Sequence, residues 1–134
     1  MKAKDLIHLA EAARERAYAP YSGYLVGAAL LGKSGKVYLG CNVENASSSV
    51  TSCAERTAFF KSVSEGEREF QAIAIVGGKK GEKGGFCPPC GTCRQVMAEF
   101  CGGDFPIVLG TPDDYKIHTL SELLPLAFTP RSLS

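Results

Sequence analysis

The sequence has little net charge and no long apolar run. Fifteen Lys and Arg residues against fourteen Asp and Glu give a formal charge of +1, so bulk charge draws the chain neither to nucleic acid nor to an anionic membrane. No stretch of about 18 consecutive apolar residues occurs, and charges interrupt the first helical pattern, so we expect no membrane span and no signal peptide. We therefore expect a cytoplasmic protein whose partners are set by local sites.

Disulfides are a second feature that we do not expect, although the chain has six cysteines. A cytoplasmic compartment is reducing, and 134 residues are enough to bury a core without covalent staples. We expect residues 1–134 to form one domain. The cysteines are then candidates for metal ligands, catalytic groups or small buried side chains: Cys41, Cys53, Cys87, Cys90, Cys93 and Cys101.

Apolar periodicity predicts three main helices and five strands. The helices are expected at residues 6–17, from about residue 52 to 65, and from about residue 90 to 101. The strands are expected at residues 24–31, 37–42, 70–77, 106–110 and 116–120, and residues 77–85 read as a flexible glycine-rich connector. The order of these elements indicates an α/β sandwich built on one sheet.

One nucleotide-binding pattern is misleading. Residues 27–34, GAALLGKS, match the phosphate-loop pattern G-x-x-x-x-G-K-[ST]. That loop requires a helix directly after it, whereas the residues that follow here, GKVY, are typical of a strand. We interpret residues 32–35 as a hairpin turn.

The stretch FCPPCGTCRQ at residues 86–95 carries three of the cysteines at even spacing. An iron–sulfur run of the bacterial type would need a further cysteine where Met97 stands. A thioredoxin-like redox pair would leave Cys53 unexplained. Zinc explains more, because Cys90 and Cys93 have C-x-x-C spacing and Cys53 can serve as a third ligand, which leaves one position for water.

Glu55 follows Cys53 by two residues, so a ligand and a carboxylate share one predicted first turn. Ser52-x-x-Glu55 is also a capping-box pattern, in which Glu55 would only bond back to the Ser52 amide. The joint presence of Cys-Ala-Glu and Pro-Cys-x-x-Cys favours the other interpretation, because the pair matches the zinc-deaminase signature, in which the glutamate moves protons.

Three thiolates and a zinc ion carry a net negative charge, which disfavours ionising a bound water. The two predicted helix N-termini offset part of this charge. Arg56 and Arg94 each follow a predicted ligand closely. We expect Arg56 to donate a hydrogen bond to a ligand sulfur.

With CAER, PCGTCRQ and GCNVENA in view, the sequence resembles the small cytidine deaminases of the homotetrameric type. The resemblance extends from YAPYSGYLVGAALL near the start to ELLPLAF near the end. It implies a three-layer α-β-α sandwich around a mixed five-stranded sheet. It also implies a homotetramer with active sites at subunit interfaces, and hydrolysis of cytidine and deoxycytidine to uridine and deoxyuridine in nucleoside salvage.

The resemblance also implies roles for individual residues. Zinc is expected on Cys53, Cys90 and Cys93, with Glu55 as the catalytic proton shuttle to and from a zinc-bound hydroxide. Asn42 and Glu44 are expected to hold the ribose hydroxyls. The other expected substrate contacts are Tyr24, where the family usually has Phe, Ala54, and Phe128, which reaches the base in a neighbouring subunit.

Two positions depart from the family pattern. Ser48 stands where Tyr is common, which removes one possible contact to the nucleoside, and Cys87 with Pro88 replaces other residues before the zinc motif. Blasticidin-type deaminases share the zinc motifs but are expected to lack the Asn-Val-Glu-Asn ribose pair. A structural zinc module or a redox protein is the alternative from another class. A polynucleotide partner is not expected, because no basic patch or aromatic stripe is available to hold a strand.

Overall fold

The structure is a computed structural model that describes residues 1–134. Its helices are α1 (Ala3–Arg14), α2 (Ala54–Ser64), α3 (Gly91–Phe100) and α4 (Leu120–Leu123), and its strands are β1 (Tyr24–Gly32), β2 (Val37–Cys41), β3 (Phe70–Lys79), β4 (Pro106–Thr111) and β5 (Asp114–Thr119). Two short 3₁₀ segments, Ser48–Val50 and Pro130–Leu133, complete the chain. None of the helices combines the length and apolar character needed to cross a membrane.

The strands form one mixed sheet in the order β2-β1-β3-β4-β5. Only β3 and β4 pair in parallel, and the other neighbours are antiparallel. Helix α3 provides the crossover between the parallel strands, as a parallel pair requires. The predicted three-layer fold around a mixed five-stranded sheet is confirmed.

Side chains alternate between the two faces of the sheet, and each face is covered. On β1, Ala28 and Leu30 pack towards α2 and α3, whereas Ala29 and Leu31 pack towards α1. Strand β3 repeats this alternation with Ile73 and Ile75 on one face and Ala74 and Val76 on the other. Because both faces are buried, the strands are near-continuous apolar runs in sequence.

Two predicted boundaries differ from the structure, and one predicted turn agrees with it. Helix α1 ends at Arg14, because the following residues make tighter i→i−3 bonds, such as Ala17 N to Arg14 O at 3.1 Å. The GKSG segment is the predicted hairpin turn, closed by Gly32 N bonding Lys36 O at 2.9 Å. Strand β3 runs on to Lys79, beyond the predicted end at residue 77.

The extension of β3 has a physical cause in Arg14. Its buried guanidinium donates to the carbonyl oxygens of Leu25, Lys79 and Glu82 at 2.9–3.1 Å. These bonds hold the connector after β3 against β1. The glycine-rich connector is therefore ordered by a side chain that lies far away in the sequence.

Candidate active site

Helix α2 begins unusually close to strand β2. A Cβ atom at Gly40 would lie 2.3 Å from the Ala54 carbonyl oxygen and 2.7 Å from the Ala58 nitrogen. Such distances are not tolerated between real atoms, so only glycine lets the first turn of α2 rest on β2. This contact fixes the place of Cys53 and Glu55.

Cys53 and Cys90 are the N-cap residues of α2 and α3, both with extended backbone, and Cys93 lies in the first turn of α3. Their sulfur atoms converge. Cys53 Sγ lies 3.8 Å from Cys90 Sγ, Cys90 Sγ lies 3.4 Å from Cys93 Sγ, and all three lie within 4.8 Å of one another. Tetrahedral zinc with thiolate ligands requires sulfur separations of about 3.8 Å, so the three side chains fit a zinc ion.

Arg56 supports that fit. Its Nη2 donates to Cys53 Sγ and to the Thr51 carbonyl oxygen, each at 3.3 Å. Its Nε is buried and has no hydrogen-bond partner, although a buried donor normally has one. The predicted contact from Arg56 to a sulfur atom is thus present in the structure.

The thiols of the cluster differ in pKa, so they differ in how readily each becomes a thiolate. A hydrogen bond with Cys93 and the neighbouring Arg56 guanidinium lower the pKa of Cys53 to about 5, against the effect of burial. The bond with Cys53 raises the pKa of Cys93. The cluster therefore already favours one thiolate at neutral pH, and thiolates are the form that binds metal.

Glu55 is almost fully buried, with 4% of its surface exposed. Burial is the main cause that raises its pKa to about 7, and the charge of Cys53 acts in the same direction. A carboxyl group with a pKa near neutrality can both accept and donate protons under physiological conditions. The structure does not use Glu55 as a cap, because the N-cap of α2 is Cys53 and makes no side-chain cap bond.

A cavity of about 280 Å³ lies beside this cluster. Its walls bring together most of the predicted site: Tyr24, Asn42, Glu44, Cys53, Ala54, Glu55 and Cys90. Cys93 is buried behind the cavity. Phe128 does not line it and is 60% exposed.

Glu44 and Asn42, the two residues expected to bind the ribose, are held in place by different contacts. Glu44 Oε1 accepts from the amides of Tyr21 and Ser22 at 3.0 and 3.1 Å, and the Ser22 hydroxyl donates to Glu44 Oε2. These bonds, led by the Ser22 hydroxyl, lower the pKa of Glu44. The carboxylate is therefore charged and oriented at the cavity wall.

Asn42 is buried and binds the backbone of β1 at both ends of its amide. Its Oδ1 accepts from Val26 N at 2.9 Å and its Nδ2 donates to the Tyr24 carbonyl oxygen at 2.8 Å. One amide hydrogen remains available. Asn42 thus fixes the wall on which Tyr24 stands as well as facing the cavity.

Sequence reasoning missed several cavity residues, including Ser22, Thr51, Pro88 and Cys87. Cys87 is not part of the three-thiol cluster, as expected, but it faces Tyr24. Gly77 makes room for both, because a Cβ there would lie 2.7 Å from Cys87 Sγ and 3.1 Å from Tyr24 Cε2. The only sequence signal for Cys87 at the cavity is that it lies directly before the zinc motif.

Three thiols at two helix starts, with a buried carboxylate on the wall of the adjoining cavity, define the site of a zinc enzyme. Similarity to known proteins shows to which family of zinc enzymes the chain belongs. Residues 1–109 match the family described as "Cytidine and deoxycytidylate deaminase zinc-binding region". The chain belongs to the cytidine and deoxycytidylate deaminase family.

Relatives match over the whole chain. A cytidine deaminase of Sporosarcina psychrophila is 50% identical over all of this chain and 96% of its own length, and one of Halalkalibacterium halodurans is 52% identical over all of this chain and 99% of its own. The crystal structure of a Burkholderia pseudomallei cytidine deaminase matches with a TM-score of 0.87 at 50% identity, covering 96% of this chain and 100% of that one.

Proposed function

We propose that the chain catalyses the hydrolytic deamination of cytidine and deoxycytidine to uridine and deoxyuridine, releasing ammonia. The observation that carries this proposal is the buried Glu55 beside three convergent thiols, at one end of a cavity that has Glu44 on its wall. The whole-chain similarity to cytidine deaminases supports it. We place the reaction in nucleoside salvage in the cytoplasm.

Cys53, Cys90 and Cys93 would hold the zinc ion, which when bound lowers the pKa of a water molecule and so supplies the nucleophile. Glu55 accepts the proton of the attacking water on its carboxylate and delivers it to N3 of the cytosine ring while the water oxygen bonds to C4. Glu55 then takes the proton of the new C4 hydroxyl and delivers it to the exocyclic amine, so that the C4–N bond breaks, ammonia leaves and the C4 carbonyl of uridine forms. The raised pKa near 7 suits a group that gains and loses protons in one cycle.

The remaining cavity residues bind the nucleoside. Glu44 accepts a hydrogen bond from a ribose hydroxyl, and its carboxylate is held in place by the amides of Tyr21 and Ser22. Asn42 donates its remaining amide hydrogen to a hydroxyl of the same sugar. Tyr24 packs against the nucleoside, and Ala54, whose amide lies in the first turn of α2, contacts the base.

We also propose that residues 1–134 act as one domain in a homotetramer. Large apolar side chains are exposed around the cavity and near the C-terminus, among them Tyr21, Val43, Val50 and Phe128. Such exposure is typical of a surface that is covered by another subunit. Phe128 would then reach the base in a neighbouring cavity.

An ultraviolet assay on the purified zinc-loaded protein tests the proposal. Cytidine and deoxycytidine should lose absorbance as uridine and deoxyuridine form, whereas free cytosine, which lacks the ribose, should react poorly. Equal rates on cytosine and cytidine would remove Glu44 and Asn42 from substrate binding. Zinc content without turnover of either nucleoside would favour a different aminated substrate.

A further inference from the structure

Arg94 connects the metal loop to the C-terminal part of the chain. Its Nε donates to the Pro89 carbonyl oxygen at 2.7 Å and its Nη1 to the Leu123 carbonyl oxygen at 2.6 Å. Pro89 immediately precedes the predicted ligand Cys90, and Leu123 is the last residue of α4. One rigid guanidinium plane thus sets the distance between these two segments.

Gln95 makes a second connection from the same turn of α3. Its Nε2 donates to the Phe128 carbonyl oxygen at 2.8 Å. Residues 124–129 form neither helix nor strand, so their backbone carbonyls depend on partners outside regular structure. The side chains of two consecutive residues, directly after Cys93, therefore hold both ends of this segment.

The place of Arg94 in its helix is not explained by helix stability. A cation in the first turn of a helix opposes the macrodipole, whereas a cation in the last turn is favoured. Arg14 shows the favoured case, because it ends α1 and also binds backbone carbonyl oxygens. Arg94 also binds backbone carbonyl oxygens, but from the end of a helix where a cation is unfavourable. This points to a role in positioning Pro89 and Leu123, whose carbonyl groups it binds.

The structure assigns Arg94 and Gln95 as positioning residues that link zinc binding to the C-terminal segment. Arg94 keeps the Pro89–Cys90 peptide where Cys90 can share a metal ion with Cys53 and Cys93. Gln95 fixes the backbone of Phe128 and so the direction of its side chain; this second half rests on the proposed role of Phe128 in substrate binding. Zinc retention and nucleoside affinity should then respond to different residues.

The proposed role of Arg94 in zinc binding is tested on the zinc-loaded protein, by measuring the rate of zinc release to a colorimetric chelator. Lys keeps the charge but cannot bridge two carbonyl groups with a planar fork, so Arg94→Lys should release zinc roughly tenfold faster, as loss of outer support at metal sites commonly does. Arg14→Lys is the matched control, because it loses the same type of bonds far from the thiols. It should lower the melting temperature while zinc release stays at the wild-type rate.

Two results would overturn this half. Zinc release from Arg94→Lys at the wild-type rate would show that the bridge does not support Cys90. Equal acceleration in Arg14→Lys would show that zinc release follows general stability. Near-ultraviolet circular dichroism of each loaded variant identifies a change in packing.

The Gln95 half is tested by a double-mutant cycle with Phe128, measured as KM and kcat for cytidine. Gln95→Ala should raise KM roughly 2- to 10-fold, the range for one lost hydrogen bond, with zinc release unchanged. Phe128→Ala should raise KM further, and adding Gln95→Ala to it should have no additional effect. Gln71→Ala is the control, since Gln71 Nε2 likewise binds backbone carbonyls, of Gly32 and Lys33, away from the cavity.

The two proposals fail in distinguishable ways. An additive effect of Gln95→Ala on top of Phe128→Ala would mean that Gln95 does not act through Phe128. An unchanged KM in Phe128→Ala would overturn the substrate role of Phe128 and with it the Gln95 half. The zinc-release result for Arg94 is independent of both.

Discussion

The same four-residue pattern, Ser or Thr followed three positions later by Glu, lies at the start of two helices of this chain with opposite outcomes. At α4 it is a true capping box: Thr119 Oγ1 accepts from the Glu122 amide at 3.3 Å, and Glu122 Oε1 accepts from the Thr119 amide at 3.1 Å. At α2, Ser52 lies before the N-cap and Glu55 makes no cap. The pattern alone therefore does not predict the role of its glutamate.

The two carboxyl groups differ because their surroundings differ. The Glu122 side chain is 57% exposed, and bonds from Thr119 lower its pKa. Glu55 is buried, and burial raises its pKa to about 7. Tertiary packing, which includes the close contact of α2 with Gly40, buries the glutamate of a capping sequence instead of leaving it at the surface.

The largest difference between the two glutamates should appear in turnover. Glu55→Gln should lower kcat for cytidine by about 10²- to 10⁴-fold, the usual contribution of a general acid–base group, while zinc content stays near one per chain. Glu122→Gln should leave kcat unchanged. A Glu55→Gln variant with wild-type turnover would remove Glu55 from the mechanism; metal analysis alongside the ultraviolet assay separates this from zinc loss.

The thiols beside Glu55 should differ almost as strongly. Cys90→Ser and Cys93→Ser should weaken zinc binding by at least about 100-fold, since outer-shell changes alone cost 10- to 100-fold. Cys87→Ser should retain zinc, because Cys87 is outside the cluster. Its position in the cavity against Tyr24 predicts a small change in KM instead. Zinc loss in Cys87→Ser would show that the ligand set has been misassigned.

The contact of α2 with Gly40, which is closer than any glycine contact at the start of α4, can be changed directly. Gly40→Ala places a methyl group against Ala54 and Ala58, so it should destabilise the protein by about 1–3 kcal/mol, as overpacking commonly does. It should also lower turnover, because the first turn of α2 must move. Urea unfolding measures the first effect. Gly85→Ala, where no atom lies within 4 Å, should change neither.

The smallest effect belongs to the capping box. Thr119→Ala should cost about 1 kcal/mol, the typical value for a lost cap, with turnover unchanged. Because the folded pKa of Glu122 is lowered, its stabilising effect is complete above the unfolded pKa and is lost as pH falls through the folded pKa. The stability difference between wild type and Glu122→Gln should therefore be largest near neutral pH and shrink in acid. A difference that grows in acid would contradict the cap.

Sequence predicted the fold class and the three-thiol cluster well, because the first depends on local apolar patterns and the second on two short motifs that occur together. Near-continuous apolar runs predict strands buried on both faces, and the Cys-x-x-Cys spacing fits one helix turn whatever surrounds it. The residues it missed act at long range. The bond from Arg94 to Leu123, the place of Cys87 against Tyr24 and the hold of Arg14 on Lys79 each join segments far apart in the chain. The functional roles of the predicted site residues stay predictions: Tyr24, Asn42, Glu44, Ala54, Glu55 and Phe128.

The absence of a side-chain cap at both Cys53 and Cys90 bears on how the protein opens. The first amides of α2 and α3 lack the side-chain acceptor that commonly caps a helix start, so each start depends on its own packing to resist local opening. An ion shared by the two thiols would join these ends across 37 residues of sequence. Two independent local openings would then become one cooperative event, and amide exchange in both first turns would slow together.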